Sequence, residues 1–342
     1  MKITIKEVAE LAKVSPSTVS RVISDNSRIS KKTKEKVKKA MEELGYYPNA
    51  IARSLVSKST NTLGIVMPQS TEAAFLNPFF SQVLSGIAAG AHEKDYCIIL
   101  STGNTEISQL ESIKNIVLSG RVDGVILMYS SVDNIILKEI KRLNIPVLII
   151  GKPLDDLDVL YVDNNNLEAS YFVTKKLIKK GHKNVGLITG TLNLVVSLDR
   201  LEGYKEAIFE EGLDLHEKYI KEVPFTKEAG YAAMKELLKT KDMPTGIVVT
   251  DDVVAFGAID AIKEEGYKVP NDIEIVSFNN IPLAEFASPS LSSVDINAIT
   301  LGYESARLMI KKIEDDLEEG ENKVIVPTKI IYRESFRELE GD

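Results

Sequence analysis

Tryptophan is absent from this 342-residue chain, cysteine occurs once, at Cys97, and histidine only three times. One cysteine cannot close an intramolecular disulfide, which points to a reducing compartment. His92, His182 and His216 are dispersed, so they and Cys97 offer no metal-ligand spacing. His182, in Lys180-Gly181-His182-Lys183-Asn184, reads as a helix-end cap or surface group. No apolar stretch approaches the roughly 18 residues that span a bilayer. The first twenty residues, with Lys6, Glu7, Glu10 and Lys13 among apolar positions, contain no export-signal core. A G-x-x-x-x-G-K-[ST] phosphate loop, a G-x-G-x-x-G turn and a G-x-S-x-G nucleophile elbow are all missing. These absences argue against an enzyme, a metal site and a membrane protein. The expectation is a cytoplasmic chain that needs no cofactor.

What is present has ordinary globular proportions, 44% apolar and 27% charged. The length calls for two or three domains. A net charge of −8 would disfavour a nucleic-acid partner, but that average hides an asymmetry. Residues 1–60 hold 13 basic and 6 acidic side chains, a net of +7; the remainder holds 29 and 44, a net of −15. A basic head on an acidic body is the charge pattern of a DNA reader. Charge alone leaves open a merely solvated basic face.

Local signals in the head are dense. Thr4-Ile5-Lys6-Glu7 fits a capping box, and Ile5, Val8, Ala9, Leu11 and Ala12 continue a helix to about Lys13. Ser15 caps a second helix, with Pro16 at its first position. Val19, Val22 and Ile23 form its buried stripe, leaving Ser17, Thr18, Ser20 and Arg21 outward. Two short helices around a tight turn describe a helix-turn-helix. Ser30 caps a third helix that Gly45 closes, with Val37, Ala40, Met41 and Leu44 inward. Its lysines either touch phosphates or solvate the helix. Asn49 caps a short helix over 50–56, and a polar linker follows.

Three segments of this head resemble the lactose/galactose repressor family in order and spacing. They are Ile5-Lys6-Glu7-Val8-Ala9, Val14-Ser15-Pro16-Ser17-Thr18-Val19-Ser20-Arg21-Val22 and Tyr47-Pro48-Asn49-Ala50-Ile51-Ala52-Arg53-Ser54-Leu55. The resemblance implies that Ser17, Thr18 and Arg21 enter the major groove, with Arg21 a reader of guanine. Pro16, at the first groove-facing position, offers only apolar contact or shape. Thr4, Ser15, Ser20, Arg28, Ser30, Thr33, Tyr46, Asn49 and Ala52 complete the DNA contacts that the resemblance implies. It further implies a hinge helix over 50–56 that orders on the operator, with Leu55 wedged into the minor groove. An ordinary packing role is the alternative for Leu55.

From Leu63 onward, short apolar runs alternate with amphipathic helices. Leu63–Met67, Cys97–Leu100, Val122–Met128, Val147–Ile150 and Leu160–Val162 read as strands of one half. Val185–Ile188, Tyr219–Val223, Gly246–Thr250 and Glu274–Phe278 read as strands of the other. The fold class expected is thus an all-α helix-turn-helix head plus an α/β body of two doubly wound subdomains. A ligand cleft lies between such subdomains, outside the strands' carboxyl ends. Residues just after the strands include Asn77-Pro78-Phe79-Phe80, Tyr129, Asp163, Phe225, Asp251, Asp252 and Asn279, and Arg200 opens a helix nearby. Aromatic faces beside carboxylates, amides and one guanidinium suit a neutral polyhydroxyl ligand. Phe79, Phe80 and Phe225 could equally be core, Asp251 or Asp252 a helix cap, and Arg200 a surface partner of Asp199 or Glu202.

The resemblance continues through Asp199-Arg200-Leu201-Glu202-Gly203-Tyr204, Gly230-Tyr231, Thr250-Asp251-Asp252 and Ser288-Pro289-Ser290-Leu291-Ser292-Ser293-Val294. It implies a periplasmic-binding-protein-like body in which Phe79, Phe80, Tyr129, Asp163, Arg200, Phe225, Asp252 and Asn279 meet the effector. A closer likeness, to maltose-operon repressors of low-GC bacteria, rests on Leu63-Gly64-Ile65-Val66-Met67-Pro68, Asn77-Pro78-Phe79-Phe80, Ile150-Gly151-Lys152-Pro153 and Ser197-Leu198-Asp199-Arg200. The domain boundaries expected are a head at 1–48 and a hinge and linker at 49–61. One subdomain is expected at 62–161 with 291–322, the other at 162–290 with 323–342. The reading is a homodimeric repressor of a pseudo-palindromic operator in double-stranded DNA, controlled by a sugar. Two rivals stand beside it. A global catabolite regulator would answer to a phosphorylated partner protein, and a transport solute-binding protein would share the body but not the head.

Overall fold

The computed structural model describes residues 3–23, 26–47, 59–68, 71–103, 105–155 and 158–338. The expected contacts at Asn49, Ala52 and Leu55, and the hinge helix with them, lie outside the described residues.

Among the described residues the head has three helices, α1 (Ile5–Leu11), α2 (Pro16–Ile23) and α3 (Lys31–Leu44). Each begins where local chemistry starts it. Thr4 N donates to Glu7 Oε2 at 2.6 Å, Thr18 N to Ser15 Oγ at 3.2 Å and Thr33 N to Ser30 Oγ at 3.3 Å. Gly45, at φ 61°, ends α3 in the left-handed conformation that favours glycine. Val8, Ala9, Ala12, Val19, Val22, Val37 and Ala40 form the core of this unit.

The body has two parallel-rich sheets. In the first lobe β1 (Thr62–Val66), β2 (Cys97–Ser101), β3 (Gly124–Leu127), β4 (Val147–Ile150), β5 (Leu160–Asp163) and β11 (Lys323–Ile325) lie in the order β11-β5-β4-β3-β1-β2, all parallel. In the second, β6 (Val185–Thr189), β7 (Ile220–Glu222), β8 (Gly246–Val249), β9 (Glu274–Phe278), β10 (Ser292–Asp295) and β12 (Lys329–Ile331) lie in the order β12-β10-β9-β8-β6-β7. Only β12 runs antiparallel to its neighbour there. The first-lobe helices are α4 (Thr71–Leu76), α5 (Pro78–His92), α6 (Glu106–Leu118) and α7 (Ile135–Arg142). The second-lobe helices are α8 (Asn166–Lys179), α9 (Val195–Glu210), α10 (Lys227–Leu238), α11 (Asp252–Glu264) and α12 (Leu283–Phe286). The last helix, α13 (Ala298–Ile313), returns to the first lobe and packs on α5. A Cβ on Gly86 would stand 1.9 Å from Ile299 O, and one on Gly302 2.0 Å from Val83 O. These two glycines therefore let α5 and α13 touch backbone to backbone.

The chain changes lobes a few residues later than the sequence boundaries at 161/162, 290/291 and 322/323. β5 keeps Val162 and Asp163 in the first sheet, β10 keeps Ser292–Asp295 in the second, and β11 returns Lys323–Ile325 to the first. β10, β11 and β12 are short, and β10 is half serine, so no long apolar run announces them. At the crossovers Asn164 Nδ2 donates to Ile296 O at 3.0 Å and Val326 O at 2.9 Å, tying all three connections together.

His182 does more than cap a helix. Its ring bridges Thr245 Oγ1 and Glu274 Oε2, each at 2.9 Å, and only 15% of its side chain is exposed. Lys180 Nζ also reaches Glu274 Oε1 at 2.6 Å and holds the carboxylate below its ordinary range together with His182, against the opposing effect of burial.

Candidate functional site

A cavity of about 120 Å³, open to solvent, lies between the two lobes. Its lining comes from the segments that follow the strands of both sheets, as the switch-point rule for doubly wound sheets requires. Phe79, Phe80, Tyr129, Asp163, Arg200, Phe225 and Asn279 all face it. Asp252 does not; the neighbouring Asp251 takes that place.

The two carboxylates differ because α11 starts between them. Asp251 is the cap: its Oδ1 accepts from Val253 N at 2.8 Å and Val254 N at 3.3 Å. Its Oδ2 faces the cleft and accepts from Asn77 Nδ2 and Asn279 Nδ2, each at 2.9 Å. Asp252, fully buried, is turned behind the lining. Its Oδ1 accepts from Ser277 Oγ and, at 2.7 Å, Ser293 Oγ, and its Oδ2 from Ile281 N at 2.8 Å. Burial pushes the Asp252 carboxyl up to about 7. Asp252 thereby holds the turn that carries Asn279, whose φ of 102° is one that L-residues rarely adopt.

Arg200 is buried, not paired on the surface. Its Nε donates to Asn166 Oδ1 at 3.0 Å and its Nη1 to Thr250 O at 2.7 Å, while the guanidinium lies 4.2 Å from the Phe278 ring centroid. Asp199 instead pairs with Lys152 at 2.9 Å, across the cleft mouth. Burial lowers the Arg200 pKa to about 10, with Asp251 and Asp163 opposing, so the group stays charged at neutral pH. Asp163 accepts from Asn166 Nδ2 at 3.0 Å and Lys152 N at 3.1 Å, and burial pushes it up to about 6.

Tyr129 donates its hydroxyl proton to Gln109 Oε1 at 2.9 Å, and buried Gln109 in turn donates to Met67 O. The phenolic oxygen is left as an acceptor toward the cleft. Phe79 and Phe80 meet edge to face at 5.0 Å and are half-buried, each part core and part lining. Phe225 occupies space that a side chain at 190 would fill, since a Cβ on Gly190 would stand 2.0 Å from its Cζ.

Sequence reasoning missed Asn166 altogether, which has no motif around it. Asn77 and Asp251 it named as positions after a strand and within the resembling segments, and Asp251 also as a possible helix cap, but neither as a ligand contact. Asn77 carried a visible signal, an N-cap before proline: its Oδ1 accepts from Phe79 N at 3.0 Å. Its second bond, across the cleft, had none.

On the head, Thr4, Ser15, Pro16, Ser17, Arg21, Arg28 and Ser30 are exposed and Thr18, Ser20 and Thr33 half-buried. Ser15 Oγ bonds Ser17 Oγ at 2.8 Å and Thr18 Oγ1 at 2.9 Å. Tyr46 packs against the head core, whereas Tyr47 is 89% exposed. α2 thus presents small polar groups in its first turn and Arg21 in its last, the arrangement a major groove accepts.

Comparison with known proteins agrees with both halves. The family described as bacterial regulatory proteins, lacI family, matches residues 4–49, and a periplasmic binding protein-like domain matches residues 174–336. The HTH-type transcriptional regulator MalR of Streptococcus pneumoniae is 39% identical over 321 residues, 92% of this chain and 94% of that protein. Catabolite control protein A of Priestia megaterium is 33% identical over 98% of this chain and 100% of its own length. A solved transcriptional regulator CelR–cellobiose complex matches with TM-score 0.77 and 30% identity, over 98% of this chain and 100% of that one. With the reading head, the two-lobed body and their order along the chain all matched, this protein belongs to the lacI family and is a DNA-binding transcriptional regulator.

Proposed function

We propose that the chain represses sugar-utilisation genes and that maltose or a maltodextrin, bound in the cleft, controls it. The carrying observation is the hydrogen-bond inventory of the lining. The Tyr129 oxygen, the Asp163 and Asp251 carboxylates and the Oδ1 atoms of Asn164 and Asn279 are acceptors, while the Asn164 amide protons are spent on backbone carbonyls. Arg200 and the amide groups of Asn77, Asn166 and Asn279 are the donors beside them, and the three amides already donate to Asp163 and Asp251. An acceptor-rich wall with Phe79, Phe80 and Phe225 around it suits a neutral ligand rich in hydroxyl donors. It suits a phosphate or a purine poorly. The likeness to MalR supports the maltose assignment, and the cellobiose in the CelR complex supports a disaccharide as the class of ligand.

In this reading the head, the hinge at 49–61 and their dimer mates occupy a pseudo-palindromic operator in the cytoplasm. Phe79, Phe80, Tyr129, Asp163, Arg200, Phe225 and Asn279 meet the sugar, with Asp251 in place of Asp252. Ligand changes operator affinity by shifting one lobe against the other. No catalytic step enters. Titration of operator-bound protein with maltose, maltotriose and a phosphorylated partner protein decides the matter. Release by the sugars is expected. Release by the phosphoprotein alone would replace this reading with that of a catabolite regulator.

A further inference from the structure

Among the described residues, and apart from the crossovers, hydrogen bonds and ion pairs join the lobes around the cleft at three places. One is a backbone seam: Val132 N donates to Asn193 O at 2.9 Å and Val195 N to Ser130 O at 3.1 Å, about an antiparallel bridge between Ser131 and Leu194. The second is the Lys152–Asp199 pair, whose lysine is 40% exposed and therefore weakly held. The third is the bond from Asn77 Nδ2 to Asp251 Oδ2, between residues 7% and 2% exposed.

This third contact joins two helix caps. Asn77 starts α5, which Gly86 and Gly302 lock against α13 in the first lobe. Asp251 starts α11, whose Gly257 would place a Cβ 1.8 Å from Lys227 O, so α11 is locked against α10 in the second. Whatever breaks the bond removes the buried side-chain tie between the two rigid helix pairs. Asp251 Oδ2 also faces the cleft, and its two donors, Asn77 and Asn279, leave an incoming hydroxyl to compete for the same lone pairs.

We propose that the Asn77–Asp251 bond is a latch: it holds the lobes together in the ligand-free protein, and a ligand hydroxyl that takes Asp251 releases it. The release step rests on the reading of the cleft as a sugar site; the latch does not.

Asn77→Asp separates the two duties of Asn77. Aspartate caps a helix as well as asparagine does, but it cannot donate and sets a second carboxylate against Asp251. The reciprocal pair N77D/D251N restores one donor and one acceptor across the cleft while keeping both caps, with the Asn279 amide turned so that its oxygen accepts from the new NH2 group. Hydrogen exchange at Val132 and Val195, in the full-length ligand-free protein, reports the seam. N77D is expected to speed it by about tenfold or more, the scale of one hydrogen bond to a charged group. The double variant is expected to return it to the wild-type rate. Unchanged exchange in N77D, or a double variant as fast as N77D, overturns the latch. With the wild type, maltose is expected to raise seam exchange toward the N77D level. Calorimetric maltose binding without that rise overturns the release step and leaves the site reading intact. A set of sugars none of which binds removes the site reading and the release step together, while the latch is decided by the variants.

Discussion

Asp252→Asn isolates the energetic cost of one buried carboxylate. Asp252 has no exposure, and burial pushes its pKa to about 7, with Asp251 adding to the rise and Ser277, Ile281 N and Ser293 opposing it. A carboxyl whose folded pKa lies above its unfolded value contributes stability that is complete below the unfolded pKa, near 3.8. That contribution falls as pH rises through the folded pKa. Each pH unit between the two values removes about 1.4 kcal/mol. Asp163, pushed up to about 6, and Asp251, also raised by burial, titrate in both proteins, so it is the difference between wild type and D252N that isolates Asp252. In D252N the amide keeps an acceptor for Ile281 N and donates to Ser277 and Ser293. The slope from this position should vanish. From about pH 6 to 7 wild-type stability should drop by roughly 1 kcal/mol relative to D252N, or about 2–4 °C in the melting temperature of a body this large. Differential scanning calorimetry of both proteins from pH 5 to 8 measures it. Parallel curves would refute the reasoning, for they would mean that Asp252 titrates alike in the folded and unfolded chains.

Three further perturbations address the reading head, the ligand wall and the helix packing. Arg21→Ala should weaken specific operator binding by about 1–3 kcal/mol and random DNA much less, measured by titration at fixed salt. An equal loss on both would make Arg21 a phosphate contact. Gly190→Ala should drive Phe225 from its place and lower maltose affinity about three- to tenfold by calorimetry, the worth of an aromatic face. Its operator affinity without sugar should not change. Gly86→Ala sets a methyl against the Ile299 carbonyl and should cost about 1–3 kcal/mol by overpacking, seen as a lower melting temperature.

The fold was legible where apolar runs coincide with strands. β4 and β9 fall on the expected runs Val147–Ile150 and Glu274–Phe278 without change. β10 was not legible: Ser292 and Ser293 are buried because they bond Phe336 O and Asp252, and such satisfaction leaves no hydrophobic trace. Arg200 and Phe225 were found because they stand after strands or at a helix start, where a doubly wound fold exposes side chains to its cleft. The choice between Asp251 and Asp252 was out of reach. It depends on which of two adjacent carboxylates the first turn of α11 points outward, and either can serve as a cap in sequence terms.

The same ambiguity explains why the cleft hides so well. Asn77 and Asp251 each spend one oxygen on helix amides and offer the remaining groups to the opposite lobe, and Asn164 spends its amide protons on the two other crossovers. A residue that satisfies the backbone cannot be told, from sequence, from one that only does so. Yet the double duty is what makes a small ligand effective. A hydroxyl that competes for a lone side chain moves that side chain; one that competes for a cap tied to a glycine-locked helix pair moves the lobe. The charge asymmetry keeps the two ends of the process apart. The acidic body, at −15, is repelled by DNA, so attraction is left to the +7 head, while the Asn77–Asp251 contact in the cleft is buried and little screened by salt. Ionic strength should therefore tune how tightly the protein reads DNA without tuning how it senses its ligand.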